Sequence, residues 1–159
     1  MTAIALRVDA IPDADLARIR GRGTDDFGNP VVVSVVDEAG GTPLRCCLRE
    51  AVPGERVALI AYRPSHIGGP YAEVGPVFIH AEACGGYTAP DRYPEGFRHR
   101  QQVLRAYDAE GRIVDAVIAQ DGDEAESVCA ALLSRPEIAY IHSRNVLYGC
   151  YMFTVRRPA

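Results

Sequence analysis

Apolar residues recur mostly at every second position along the chain, the spacing of strands that bury one face. On that pattern strands are predicted at residues 3–8, 31–36, 44–48, 57–62, 77–81, 103–107, 112–119, 138–142 and 151–155. Two stretches read as helices instead. Residues 12–20 place Pro12 at the first helical position and Gly21 at the end, as helix termini prefer. Residues 121–134 make the stronger helix. Asp121 or Asp123 can cap it, Val128/Leu132 and Cys129/Leu133 repeat at four, and Pro136 stops it. Residues 22–30 are turn-rich and predicted to be a mobile loop, while 63–76 and 84–96 are rich in Gly and Pro and too irregular for an element.

Many strands joined by short turns, with one strong helix, predict an α+β class. The expected architecture is a single domain over residues 1–159. It has one mostly antiparallel, curved sheet, one long helix in the C-terminal half and a short N-terminal helix. A doubly wound sheet is not predicted, because strands and helices do not alternate. A dinucleotide fingerprint is absent too: Gly21-Arg22-Gly23 is followed by Asp26 where the third glycine belongs.

Composition narrows the function classes. A formal net charge of −4 over 159 residues is the wrong sign for a protein that binds nucleic acid through phosphates. All 17 basic residues are arginine. That excludes Schiff-base chemistry, pyridoxal phosphate anchoring and the phosphate-loop lysine. No apolar run approaches the ~18 residues of a membrane span, so no membrane partner is expected. Arg7 and Asp9 interrupt the N-terminus where a signal peptide would be apolar. The expectation is a cytoplasmic protein whose five cysteines are reduced thiols.

Four groups of residues carry candidate chemistry. The thiols and imidazoles are Cys46, Cys47, His80, Cys84, Cys129, His142 and Cys150. Zinc is usually held by close-spaced pairs of such donors, and His80-x3-Cys84 is the one pair with that spacing. On a strand, adjacent Cys46 and Cys47 point to opposite faces, so only one would face a given site. The spacing therefore assigns no metal ligands and leaves zinc as the lesser reading, with His80, Cys84, His142 and Cys150 as its donors. Cys129 falls on the apolar face of the second helix and reads as core. A thiol nucleophile needs a base or cation nearby, and Cys150 or Cys47 would serve. The third group lies on strands: Val103, Arg105 and Tyr107 share one face, Tyr140 and His142 another, with Asn145 in the loop beyond. Such an arrangement can hold a carboxylate or phosphate, or can be a solvated face with Arg105 paired to Asp115. The fourth is the run from Pro70 to His80, where Tyr71 and Glu73 can orient His80, or where Gly and Pro only build a corner.

Several of these runs together resemble a bacterial protein family known as domain of unknown function 1203. They are Leu44-Arg45-Cys46-Cys47-Leu48, Pro53-Gly54-Glu55 with Leu59 and Tyr62, Pro70-Tyr71 with Gly75 to His80, Leu104 to Asp108, and Tyr140-Ile141-His142 with Asn145, Gly149 and Cys150. The resemblance covers about residues 40–157 and transfers no catalytic role. From the residues alone, the leading expectation is a small enzyme or small-molecule-binding domain for an anionic ligand. His80, His142 and Cys150 would be its catalytic groups, and Tyr71, Arg105 and Asn145 its binding groups. His80 and His142 are expected to share one pocket with Arg105 in reach. The alternative is a non-catalytic partner-binding or sensing module. The residues leave any cofactor open.

Overall fold

The computed structural model describes residues 4–64 and 68–159. The start of the expected first strand and residues 65–67 of the expected irregular stretch lie outside the described residues. In chain order the elements are β1 (Arg7–Asp9), α1 (Asp13–Arg22), β2 (Val32–Val35), β3 (Pro43–Leu44), β4 (Arg49–Glu50), β5 (Arg56–Tyr62) and β6 (Gly75–His80). A 3-10 turn at Glu95–Phe97 follows, then β7 (Gln102–Tyr107), β8 (Ile113–Ala119), α2 (Gly122–Leu133), β9 (Tyr140–Asn145) and β10 (Tyr151–Arg156).

The class is α+β, as the patterning predicts, and the strands are shared between two five-stranded sheets. One runs β1-β10-β9-β7-β8 and the other β2-β5-β6-β3-β4. Among the described residues every pairing is antiparallel except β3 with β6. The irregular stretch after β6 carries the chain from one sheet to the other, which is why its Gly/Pro content reads as neither helix nor strand.

The first sheet buries Leu104, Ala106, Ile141, Phe153 and Val155 beneath α2, whose Cys129, Leu132 and Leu133 face them. Asp121 caps α2 by accepting from the Glu124 N–H at 2.9 Å, as its sequence predicts. The second sheet packs Leu44, Val57, Ile60, Val77 and Ile79 against Leu16 and Ile19 of α1. That helix runs further than expected. It ends at Gly23, not Gly21, because Gly23 takes the left-handed conformation (φ 75°) and donates to the Ile19 carbonyl at 2.9 Å. Between the sheets, Tyr62 and Tyr151 meet with ring centroids 5.9 Å apart. Arg45, wholly buried, donates from Nε to the Tyr151 carbonyl at 2.7 Å. Burial lowers its guanidinium to about 10.

Two expectations from patterning are corrected here. Residues 22–30 are not a free loop. Asp25, 2% exposed, accepts from the N–H groups of Phe27 (2.9 Å), Asn29 (3.0 Å) and Ala61 of β5 (2.9 Å), and from the Asn29 amide. Nor is 44–48 a strand. Only Pro43–Leu44 pairs, and residues 45–48 turn tightly into β4. The turn closes with Leu48 N–H on the Leu44 carbonyl at 3.1 Å and puts Leu48 at φ 59°. A left-handed leucine is strained. It is held because its side chain is buried in the core and because Gly96 lies against it, where a Cβ would sit 2.6 Å from the Arg49 Cα.

Candidate metal centre

The turn at 45–48 changes the chemistry available to its cysteines. In a strand they would diverge; in a turn both side chains leave on the side of β6. The Arg45 N–H donates to the Phe78 carbonyl at 2.9 Å, fixing the turn against the end of that strand. The His80 N–H donates to Cys46 Sγ at 3.3 Å. From α1, the Arg20 guanidinium donates twice to the His80 carbonyl, at 3.0 and 3.1 Å. His80 thus ends β6 with its backbone held on both sides.

The side chains converge. Cys46 Sγ lies 3.9 Å from Cys47 Sγ and 3.5 Å from His80 Nδ1, and Cys47 Sγ lies 3.7 Å from the same nitrogen. With Cys84 Sγ, these ligand atoms all fall within 4.8 Å of one another. A tetrahedral zinc site with Zn–S near 2.3 Å and Zn–N near 2.0 Å has edges of roughly 3.5–3.8 Å. The three separations among Cys46, Cys47 and His80, 3.5 to 3.9 Å, lie close to those edges, with Cys84 within 4.8 Å.

The far side of the imidazole explains which nitrogen faces the thiols. Glu55 follows the Pro53-Gly54 turn and accepts from Arg49 through both carboxylate oxygens at 2.8 Å each. It also accepts from the Val52 N–H at 2.8 Å. These bonds, Arg49 foremost, hold its carboxyl well below the usual range, so it stays a carboxylate and can only accept. His80 Nε2 lies 2.8 Å from Glu55 Oε2 and must carry the proton. Nδ1 is the ring nitrogen that faces the sulfurs, and in a neutral imidazole it is the one free to bind a cation, the carboxylate–histidine arrangement typical of metal-bound imidazoles. Cys46, hydrogen-bonded by the Cys47 thiol and the His80 N–H, is shifted down despite burial. Cys47 is shifted up because its proton is held by Cys46 and because it is buried. One thiolate is therefore already favoured in the cluster.

Burial is graded across the four donors. Cys46 is fully buried, Cys47 intermediate, His80 9% exposed and Cys84 exposed. Cys84 and His80 border an open concavity of about 300 Å³ with Glu55, Arg56 and Glu82.

The remaining predicted site residues lie elsewhere. His142 is in the other sheet, fully buried among Tyr107, Tyr140 and Tyr151, with ring centroids 4.8, 5.4 and 4.9 Å away. Its ring neighbours are these tyrosines, whereas the His80 ring meets Cys46, Cys47 and Glu55, so the expected common pocket finds no support among these contacts. Arg105 sits opposite His142 in the ladder but pairs with Glu73 at 2.7 Å. It does not pair with Asp115, whose partner is Arg135 at 2.7 Å. Asn145 ends β9 and does not lie in the loop beyond it; its side-chain oxygen accepts from the N–H groups of Leu147 and Tyr148, shaping the β9–β10 turn. Tyr71 is 43% exposed, and Cys150, whose carbonyl accepts from the Asn145 N–H, donates to the Tyr148 carbonyl at 3.8 Å. The zinc reading thus keeps His80 and Cys84 but takes Cys46 and Cys47 in place of His142 and Cys150. Arg49, Glu55 and the joint use of both cysteines escaped the sequence reading. A signal was there: two adjacent cysteines break the strict alternation of a half-buried strand.

A family model described as Protein of unknown function (DUF1203) matches residues 41–157. No curated protein and no solved structure matches the chain.

Proposed function

Because the chain belongs to the DUF1203 family, whose description assigns no activity, we propose from geometry that it binds a metal ion, zinc by donor type. Cys46, Cys47, His80 and Cys84 are the ligands. What carries the reading is the approach of three sulfurs and one imidazole nitrogen within 4.8 Å of one another. Soft thiolates with one imidazole suit zinc, and four protein ligands describe a closed, structural type of site. A bound ion links the turn after β3, the end of β6 and the segment beyond it. Glu55 serves as the partner that fixes the imidazole, and Arg49 holds Glu55. The fully buried Cys46 is out of reach of a substrate, which favours binding over thiol catalysis.

Elemental analysis of protein purified without a histidine tag tests the reading. The expected result is close to one zinc per chain, with a fall in thermal midpoint after chelation. Trace metal only, with a midpoint unchanged by chelator, overturns it.

A further inference from the structure

Cys84 differs from the other sulfur donors of the cluster in two ways. It is exposed, whereas Cys46 is buried and Cys47 intermediate, and it borders the open concavity of about 300 Å³ beside His80. Its backbone also lies outside regular structure. Residues 81–89 belong to no helix or strand, and Gly85 and Gly86, both at positive φ, follow Cys84 at once. A thiol so placed meets a dissolved oxidant and can still shift toward a neighbour.

Geometry selects the neighbour. Cys46 and Cys47 are consecutive, so their Cα atoms lie about 3.8 Å apart across a trans peptide, below the roughly 4.4–6.8 Å that disulfides usually span. Their sulfurs, though 3.9 Å apart, pair only by distorting the backbone. Cys84 comes from a separate segment. Its Sγ lies within 4.8 Å of the other ligand atoms, and it is hydrogen-bonded to Cys46. An S–S bond of about 2 Å then asks for a movement of at most roughly 3 Å, which the irregular segment can take up.

We propose that Cys84 is an oxidation site, and that hydrogen peroxide joins it to Cys46 in a disulfide that expels the metal ion; this rests on the metal-binding reading above. Coordination keeps the exposed Cys84 a thiolate. Its sulfur attacks one peroxide oxygen: the S–O bond forms, the O–O bond breaks, and the leaving hydroxide takes up a proton as water. The Cys46 thiolate then attacks the sulfur of the resulting sulfenic acid. The S–S bond forms, the S–O bond breaks, and a second hydroxide leaves as water. Two thiolates, one peroxide and two protons thus give one disulfide and two waters. The thiolates lose two electrons and the peroxide gains them. Cys47 and His80 remain, too few for a tetrahedral site of four protein ligands.

The test treats the zinc-loaded full chain with hydrogen peroxide, and a metal-free portion in parallel. A chromogenic chelator follows zinc release, and mass spectrometry of peptides identifies the thiol products, with fragmentation telling Cys46 from Cys47. The expected result is a Cys46–Cys84 disulfide, loss of about one ion per chain, and recovery when dithiothreitol and zinc are returned. In Cys84→Ser, zinc loss over a peroxide-free control is expected to be at least about tenfold slower, since the remaining sulfurs of the cluster are less exposed. Cys150→Ser behaves as the unmodified chain. Zinc retained with thiols intact, Cys84 carried to sulfinic acid without a disulfide, Cys47 in the bridge, or equal loss from Cys84→Ser overturns the proposal. If Cys84→Ser holds no zinc, the products of the unmodified chain decide alone. A chain that binds no zinc sinks the metal reading, and the metal-free portion then decides the oxidation site: the same disulfide upholds it, and its absence overturns it.

Discussion

Two turns in the molecule gather polar side chains around themselves, and they do so in opposite ways. Around Asp25 one carboxylate meets several N–H donors, from Phe27, Asn29 and Ala61. Acceptor and donors answer one another, and the cluster is complete. Around Cys46 the groups that converge are three sulfurs and the His80 Nδ1 nitrogen. Without an ion, the bonds that hold Cys46, such as those from the Cys47 thiol and the His80 N–H, are weak ones to sulfur at 3.3 to 3.9 Å, whereas all four groups are metal donors once deprotonated. The first arrangement is a device that fixes a loop; the second becomes favourable when a cation sits among the donors. A polar cluster is thus read for function by asking whether its own members satisfy it.

The strongest way to break this contrast is to take the cation away. If metal is present at about a thousand times its dissociation constant, chelation removes about 4 kcal/mol of stability. Cys46→Ser is expected to reproduce that loss and to abolish metal binding, whereas Cys150→Ser leaves metal content unchanged. Urea unfolding with and without chelator, alongside elemental analysis of both variants, checks this. Equal metal content in Cys46→Ser and the unmodified protein contradicts the assignment.

Most of the fold was legible because it depends on periodicity. The alternation in β7, the apolar runs of β5 and β10 and the Asp121 cap of α2 are local signals, and the structure follows them. The two turns were not legible, for a shared reason. Asp25 is held partly by the Ala61 N–H, 36 positions away, and the Cys46 turn by the Phe78 carbonyl and Gly96. Long-range contacts of that kind leave no period in the sequence. The site was half legible: the His80-x3-Cys84 spacing is visible, but Cys46 and Cys47 count as one ligand until the strand is known to be a turn. The division of strands between two sheets was equally invisible, since a Gly/Pro-rich crossover reads the same whether it bends one sheet or leaves it.

A smaller effect separates ligands from the residue that orients one. Glu55 touches no sulfur, but it fixes the His80 tautomer. Glu55→Gln can still accept from the imidazole N–H, yet it loses the charge that pairs with Arg49. Metal affinity is expected to fall about 10- to 100-fold, the usual cost of removing such a partner. Stoichiometry at saturating zinc remains one per chain. Competition against a chromogenic chelator measures the change, and an affinity equal to the unmodified protein's sinks the orienting role.

The smallest effect belongs to the complete turn and is read through pH. Burial opposes the charge of Asp25, but the N–H of Ala61, the Asn29 amide and the N–H groups of Asn29 and Phe27 outweigh it and hold the pKa below its ordinary value. A carboxylate depressed in the folded state binds protons more readily when unfolded, so stability rises with pH across that interval. The contribution is fully present above the unfolded pKa, near 3.9, and is lost as pH falls through the lower folded value. Asp25→Asn keeps one carbonyl oxygen but places an amide where an acceptor is needed, so about 1 kcal/mol is expected to disappear at neutral pH. The difference between the unmodified protein and the variant should stay constant from pH 7 to about 4 and shrink only below that. Urea unfolding with chelator present keeps thiol protonation out of the comparison. A difference that vanishes already near pH 6 contradicts the assignment, since a carboxylate held below its ordinary pKa does not titrate there.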